Sequence, residues 1–234
     1  MNQYERLRAL GSSLTPRSDG SLRILDVGAG HGAVTYSPHF AELASHYVGV
    51  DPDEDILENP WLDEIHHRPV EEYANAHAER IAAGDDEPFD AGTAIYVWEH
   101  LPDPEGFLRS VRAVLRPGAT FLCITPNGLH PFGILSKVTA KLGVTDQVLR
   151  KLRPEEIDDY HFPVVATRNT IWGVRSAAEA AGFSKAEVLL HDEPGVFAHY
   201  LPGQLKRLPF AYSKVISVAN LDVLSGTLLI RLTA

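Results

Sequence analysis

Apolar and polar positions alternate along this chain in blocks rather than residue by residue. Ser21–Val27 (SLRILDV) is a short apolar run ending on Gly28-Ala29-Gly30-His31-Gly32, the pattern of a buried strand that enters a glycine turn. A helix over about Ala33–Ala44 is predicted next, with Pro38 marking its start or a kink. His46–Val50 is a second apolar run, closed by Asp51-Pro52-Asp53, and Ile65–Val70 is a third, weakened by Pro69. The Ala-rich stretch Glu71–Ala83 reads as a helix stopped by Gly84-Asp85-Asp86. Phe89–Val97 predicts a fourth strand and Glu105–Leu115 a helix closed by Pro117-Gly118. Ala119–Thr125 predicts a fifth strand, ending at Pro126-Asn127-Gly128.

Strands alternating with helices of about 10–15 residues imply a parallel sheet covered on both faces. The beat breaks at Asn127, and residues 128–168 read as an inserted helical cap or lid. It resumes with a helix at Asn169–Ala181, a stop at Gly182, a strand at Ala186–His191 and a final strand at Gly226–Leu232. A short helix at Tyr4–Leu10 precedes the sheet. The expected architecture is one α/β domain over residues 1–234, a Rossmann-like doubly wound sheet with its cap at 128–168.

Composition narrows the chemistry mainly by exclusion. With 234 residues, 21 Lys+Arg and 31 Asp+Glu, the net charge is −10, which argues against a general nucleic-acid binder. A single cysteine, Cys123, rules out an internal disulfide or a thiolate zinc site. No run of about 20 apolar residues is present, and the charged stretch MNQYERLRAL lacks an apolar signal core. The expectation is a cytoplasmic protein with at most peripheral membrane contact.

The glycine turn sits where a doubly wound sheet binds its ligand, at the carboxyl end of the first strand. Asp51 closes the next strand and can accept hydrogen bonds from both hydroxyls of a ribose. Gly28-x-Gly30-x-x-Ala33 also satisfies the dinucleotide fingerprint, which keeps a nicotinamide oxidoreductase open at this point. Asp26 argues the other way. A carboxylate two residues before the first glycine repels a pyrophosphate and suits a ligand with an ammonium group.

LDVGAGHG at 25–32, VGVDPD at 48–53, FDAGTAIYVWEHLPDPEGFL at 89–108 and LRPGATFLCITPN at 115–127 occur together and in order. In this combination the chain resembles the class I S-adenosylmethionine-dependent methyltransferases. It looks most like the branch of the ubiquinone-biosynthesis-type O-methyltransferases, which share the EH-x-x-D-P and P-G…P-N patterns. The likeness covers roughly residues 22–127 and returns at Asn169–Phe183, with Ala119 where the family more often has a second glycine. It implies about seven strands with the last antiparallel, S-adenosylmethionine as cofactor and S-adenosylhomocysteine as product. Carried over residue by residue, Gly28, Gly30 and Gly32 pass under the cofactor, Asp26 faces its ammonium and Asp51 its ribose. Pro52 and Val70 line the adenine, Glu71 can accept from its amino group, Tyr96 abuts the sulfonium region and Trp98 packs nearby.

Methyl transfer from a sulfonium requires an aligned nucleophile about 3–3.5 Å from the methyl carbon and the exclusion of water. A hydroxyl acceptor also gains from a general base. His100 in the EH motif, His161 in Asp158-Asp159-Tyr160-His161-Phe162-Pro163, and His130 after Pro126-Asn127 are the candidates. Each has an ordinary alternative: orienting a loop for His100, packing under a proline for His161. His66-His67 does not suggest a metal pair, because neighbours on a strand point to opposite faces. No metal is expected.

Between Lys137 and Arg153 stand five basic residues and one acid, with Ile134, Leu135, Val138 and Leu142 at helical spacing. This stretch reads as a lid with its apolar face on a substrate pocket, or as a contact with an anionic surface or an acidic, lipid-like substrate. The tail contributes Phe197, Tyr200, Leu201, Leu205, Phe210 and Tyr212, as a second pocket wall or a homodimer contact, and Trp172 is expected in the core. The leading expectation is methylation of a small organic molecule, apolar or anionic, at oxygen. Transfer to nitrogen or carbon, a non-catalytic cofactor-binding protein and the nicotinamide enzyme follow as alternatives.

Overall fold

The apolar runs become strands β1 (Arg23–Val27), β2 (His46–Asp51), β3 (Glu64–His67), β4 (Phe89–Ile95), β5 (Leu115–Pro126), β6 (Lys185–His191) and β7 (Thr227–Thr233). They are connected and covered by α1 (Gln3–Gly11), α2 (Ser37–Leu43), α3 (Val70–Ala83), α4 (Pro104–Val114), α5 (Pro131–Leu142), α6 (Ile171–Ala180), α7 (Pro194–Ala198) and α8 (Leu208–Val218). The computed structural model describes residues 2–32, 36–143, 164–165, 168–199 and 201–234. Among these residues the strands form a seven-stranded sheet in the order β3-β2-β1-β4-β5-β7-β6, with β7 antiparallel to both of its neighbours. This is the Rossmann-like methyltransferase sheet that the resemblance implied.

Strand alternation divides the interior into two cores. Leu25 and Val27 of β1 face one core, with Tyr73 of α3, Phe107 and Val111 of α4, and Val174 of α6. Ile24 faces the other, with Leu7 of α1 and Phe40 of α2. Every residue of β4, at the centre of the sheet, is buried, which explains its near-continuous apolar sequence. Burial of side chains of this size stabilises by about 1.5–3 kcal/mol each.

Helix ends follow local chemistry. Asn2 and Glu5 form a reciprocal capping box on α1, the Asp103 carboxylate accepts from the Gly106 N–H at 3.0 Å, and Thr170 Oγ1 accepts from the Gly173 N–H at 3.1 Å. Pro38 stands in the first turn of α2, as its sequence position predicted. Gly84 and Gly182, with φ of +80° and +82°, end α3 and α6 in the left-handed region.

Several boundaries differ from the expectation. Val70 opens α3 rather than closing a strand, because Pro69 has no N–H for the ladder and sets the helix start instead. Leu115 belongs to β5, not to the preceding helix: its backbone is already extended and it pairs with Phe89. Trp172 is 62% exposed on α6 rather than in the core. Of the expected cap, α5 is described, and its Ile134, Leu135, Val138 and Leu142 are exposed. Residues 144–163 of the cap and 33–35 of the glycine-loop exit lie outside the described residues.

The amino edge of the sheet is tied by ion pairs. The fully buried Asp90 carboxylate accepts from Arg17 Nε at 2.9 Å, Arg116 Nε at 2.6 Å and the Arg23 backbone N–H at 2.8 Å. The opposite, carboxyl edge is left for the site.

Candidate functional site

At the carboxyl end of β1 the chain turns through three glycines with positive φ: Gly28 at +71°, Gly30 at +46° and Gly32 at +72°. The Gly28 N–H donates to the Val50 carbonyl at 2.8 Å, which locks the turn onto β2. A Cβ at Gly28 would overlap the Val97 side chain, and one at Gly32 would overlap Asn59 and Trp61. Gly30 is different, because among the described residues a Cβ there meets nothing within 4 Å. Two glycines are thus needed for packing, while the third looks onto open space. Asp51 borders this space. Its Oδ2 accepts from the Gly30 N–H at 3.0 Å and its Oδ1 from the Asp53 N–H at 2.8 Å. Burial raises its pKa, and the two N–H donors work against that rise.

Asn59 and Trp61, which the sequence reading passed over, hold the loop from the side. Asn59 Nδ2 donates to the carbonyls of Ala29 and Gly30 at 3.1 and 3.0 Å, and its Oδ1 accepts from the Trp61 N–H at 3.1 Å. Trp61 Nε1 donates to the Gly32 carbonyl at 3.1 Å. The only signal was an amide before Pro60, which is also ordinary turn chemistry.

Asp26 lies behind the loop and is 2% exposed. In the sheet register it stands opposite Gly49 of β2 and Thr93 of β4. Tyr47 lies two residues before Gly49 on the same face of β2, and the bare Gly49 is covered by the Leu62 side chain. Tyr47 Oη and Thr93 Oγ1 donate to the two Asp26 oxygens at 2.6 and 2.7 Å. Burial pushes the Asp26 carboxyl up to about 6, with the two hydroxyls and the nearby Asp51 charge as smaller influences.

Tyr96, just after β4, adopts φ of +59°, uncommon for a non-glycine residue and a sign of a specialised turn. Its Oη accepts from Gln3 Nε2 at 2.6 Å, so α1 is fastened over this end of the sheet. Trp98 and His100 lie on the one-turn helix that follows (Trp98–His100). Trp98 is fully buried in the core shared with α4, while His100 is half-buried. Between them Glu99 is 5% exposed and pushed up to about 7 by burial, and it accepts from Thr125 Oγ1 at 2.9 Å. Asn169 Nδ2 donates to the same hydroxyl at 2.8 Å, tying the start of α6 to the site.

The structure therefore gathers Asp26, Gly28, Gly30, Gly32, Asp51, Tyr96 and His100 around the carboxyl ends of β1, β2 and β4. Pro52 is exposed beside Asp51, Val70 is buried at the start of α3, and Glu71 is exposed next to it. His130 lies elsewhere, stacked on Phe197 at 4.1 Å between centroids, with Phe132 and Tyr212 completing an aromatic cluster. Its Nδ1 accepts from the Phe132 N–H at 3.3 Å, and burial lowers its pKa. The expected tail wall is partly this cluster, whereas Leu205 and Phe210 are exposed and Tyr200 lies outside the described residues. His161 also lies outside the described residues. His66 and His67 point to different partners, Glu64 and the Pro52 carbonyl. Among the described residues no group of three or more His, Cys, Asp or Glu is placed to hold a metal ion, and no helix is long and apolar enough to cross a membrane.

A family described as a methyltransferase domain matches residues 2–187. A ubiquinone biosynthesis O-methyltransferase of Aeromonas salmonicida is 28% identical over 191 residues, covering 81% of this chain and 72% of that protein. The protein of the same name from Maricaulis maris is 32% identical over 106 residues, which is 45% of this chain and 41% of that one. This second match thus spans less than half of either chain. Among solved structures, a SAM-dependent methyltransferase from Archaeoglobus fulgidus superposes with a TM-score of 0.57 at 16% identity, covering 100% of this chain and 95% of that one. The plantazolicin methyltransferase BpumL, in complex with SAH, gives a TM-score of 0.52 at 11% identity over 98% and 81% of the two chains. These two likenesses concern the fold.

Proposed function

Starting from a chain that belongs to the class I S-adenosylmethionine-dependent methyltransferases, we propose that it methylates a hydroxyl oxygen on a small organic molecule, with His100 as the general base. The observation that carries the cofactor half is the space over Gly30, bordered by the Asp51 carboxylate and, among the described residues, roofed by no side chain within 4 Å of a Cβ built there. A cofactor that needs close approach of the backbone and an acceptor for a ribose diol fits this cradle. Gly28, Gly30 and Gly32 would lie beneath it and Asp51 would accept from the ribose hydroxyls. Pro52 and Val70 would flank the adenine, with Glu71 near its amino group. Asp26 would supply negative charge behind the methionyl ammonium, and Tyr96 would border the sulfonium end, with Trp98 behind it.

The bound cofactor supplies a methyl carbon already activated by a positive sulfur. What remains for the chain is to orient the acceptor, exclude water and take a proton. His100 stands on the turn that leaves β4, four residues after Tyr96, so a ring nitrogen there can receive the hydroxyl proton as the oxygen gains its methyl. Base assistance of this kind contributes about 10²–10⁴-fold. Of the two described candidates, His100 follows β4 directly at the site, whereas His130 packs in its aromatic cluster. The choice of oxygen is supported by the relatives, which are ubiquinone biosynthesis O-methyltransferases.

Incubation with S-adenosylmethionine carrying a ¹³C methyl, catechol as acceptor, and ¹H–¹³C correlation spectra tests the reading. A methoxy signal is expected, and His100→Ala should lower kcat by about 10²–10⁴-fold with S-adenosylhomocysteine affinity within about threefold. Label appearing on nitrogen or carbon of a cell-extract acceptor, with none on oxygen, would overturn the choice of atom. An unchanged kcat in His100→Ala would remove the base.

A further inference from the structure

Glu99 stands between Trp98 and His100 on the turn that leaves β4, and its side chain is buried. Among the described residues it accepts from Thr125 Oγ1 at 2.9 Å and from its own backbone N–H, and no cation faces it. Asn169 Nδ2 donates to the same Thr125 oxygen at 2.8 Å and lies 3.3 Å from the Pro126 carbonyl, so the Thr125 hydroxyl proton is left for Glu99. Arg168, one residue before Asn169, is paired instead with Glu105 at 2.7 Å.

This carboxyl belongs to the same edge as the cofactor cradle. The Tyr96 N–H donates to the Ile124 carbonyl at 2.9 Å, which sets Tyr96 beside Thr125 across β4 and β5. Burial raises the Tyr96 phenol, and the charges of Tyr4 and Glu99 add to the rise. Burial also raises Tyr36, just before α2, with Asp26, Tyr96, Tyr4 and Glu99 adding to it in that order. Burial and then Glu99 raise Cys123 of β5. Tyr36 therefore stands within reach of two buried carboxyls, Asp26 behind the glycine loop and Glu99 behind Tyr96. Buried charges are ordinarily paired, so Glu99 at this edge is short of a cation.

We propose that Glu99 determines which form of the cofactor the chain prefers: as a carboxylate it balances the methyl-bearing sulfonium, and it loses that partner once the sulfur is a neutral thioether. This rests on the methyl-transfer reading above. In that reaction the C–S bond to the methyl breaks with its electron pair going to sulfur, the O–C bond forms, and the hydroxyl proton goes to His100. Positive charge leaves the sulfur, and Glu99, no longer opposed by a cation, takes up a proton from water. Asp26 and Asp51 cannot discriminate in this way. They would face the amino-acid and ribose parts, which S-adenosylmethionine and S-adenosylhomocysteine share. Preference for the methylated form therefore grows as pH rises and Glu99 ionises, and the spent cofactor is the one more readily exchanged.

Binding reads this without turnover. The Kd of S-adenosylhomocysteine divided by that of S-adenosylmethionine is measured by calorimetry on the full chain, without acceptor, from about pH 6 to about pH 8. A Glu99 pKa about one unit lower in the sulfonium complex, at about 6 against about 7, raises this ratio about fivefold over the range. Sinefungin, with an ammonium in place of the sulfonium, should follow S-adenosylmethionine. Glu99→Gln, whose amide oxygen can still accept from Thr125, should hold the ratio within about twofold throughout. At about pH 8 it should weaken S-adenosylmethionine about five- to tenfold and leave S-adenosylhomocysteine within about threefold. His100→Ala should keep the rise. Where Glu99→Gln does not fold, Thr125→Val serves, because loss of the hydroxyl should move the rise to higher pH. A ratio independent of pH in the parent, a rise that survives Glu99→Gln, one that vanishes with His100→Ala, or one left in place by Thr125→Val would overturn the proposal and leave the cofactor reading standing. Binding of neither ligand would overturn both.

Discussion

Replacing Asp26 with Asn separates what the fold wants from what the site wants. The carboxyl is buried, and its pKa rises from 3.8 to about 6. At 1.36 kcal/mol per unit, ionising it in the ligand-free protein costs about 3 kcal/mol. Because the folded value lies above the unfolded one, the stability is present below about pH 4 and is lost as pH rises through about 6. Asn removes that loss. Its oxygen can accept from one of Tyr47 and Thr93, and its NH₂ can donate to the other once that hydroxyl turns round. The ligand-free Asp26→Asn protein should therefore be about 1–3 kcal/mol more stable than the parent at pH 8 and equal to it near pH 4. For a chain of this size that is a rise in Tm of roughly 2–10 °C. Binding should move the other way. Without the charge behind the loop, S-adenosylhomocysteine should bind about 10–100-fold more weakly, or about 1.4–2.8 kcal/mol. Urea unfolding across pH 4–8 and calorimetric titration at pH 8 check both halves. A stability difference that does not change with pH, or full retention of the ligand, would refute the reasoning.

Three further outcomes follow from the same geometry. Gly30→Ala should fold with a cost of about 1–2 kcal/mol for its positive φ yet lose cofactor binding, whereas Gly28→Ala should lose more stability because its methyl meets Val97; melting curves and titration with S-adenosylhomocysteine distinguish them. Asn59→Ala deletes two bonds to the loop carbonyls and should weaken S-adenosylhomocysteine about tenfold; an unchanged Kd would remove its role as a clamp. Asp90→Ala leaves Arg17 and Arg116 without their shared partner and should lower stability by about 3–5 kcal/mol in urea, with cofactor affinity of the folded protein unchanged.

The succession of strands and helices along the chain was legible in the sequence because each element depended on local rules. The apolar runs and the stops at Gly84 and Gly182 act within a few residues of where they are read. The resemblance supplied the antiparallel β7, which no periodicity reveals. Features that depend on distant parts of the chain were not legible. Asn59 matters because its amide reaches carbonyls 30 and 29 residues away. Trp172 failed for the complementary reason: an aromatic on a helix looks like core until the packed side of that helix is known.

The charged groups of the sheet are sorted between its two edges, and the sorting bears on function. At the amino edge, acids meet cations. Asp90 has Arg17 and Arg116; Asp86, although burial alone would raise it, is held below the usual carboxylate range by the Glu87 N–H and by His77, Arg23 and Arg80. Glu64, raised by burial but paired with His66 and His46, also lies low. Asp26, Asp51 and Glu99, toward the carboxyl edge, are raised, and their hydrogen bonds come from hydroxyls and backbone N–H groups. Neutral donors shield a buried carboxylate less well than a guanidinium does, so this edge carries negative charge that the protein stabilises poorly by itself. A cationic ligand there gains what the fold lacks, which is the ordinary relation between a destabilised site and its affinity. Cofactor binding near pH 6 should accordingly expel protons as Asp26 ionises, and the heat of binding should change with the ionisation enthalpy of the buffer. Binding heats that are the same in buffers of high and low ionisation enthalpy would mean that the poorly shielded charge at this edge is not what the ligand meets.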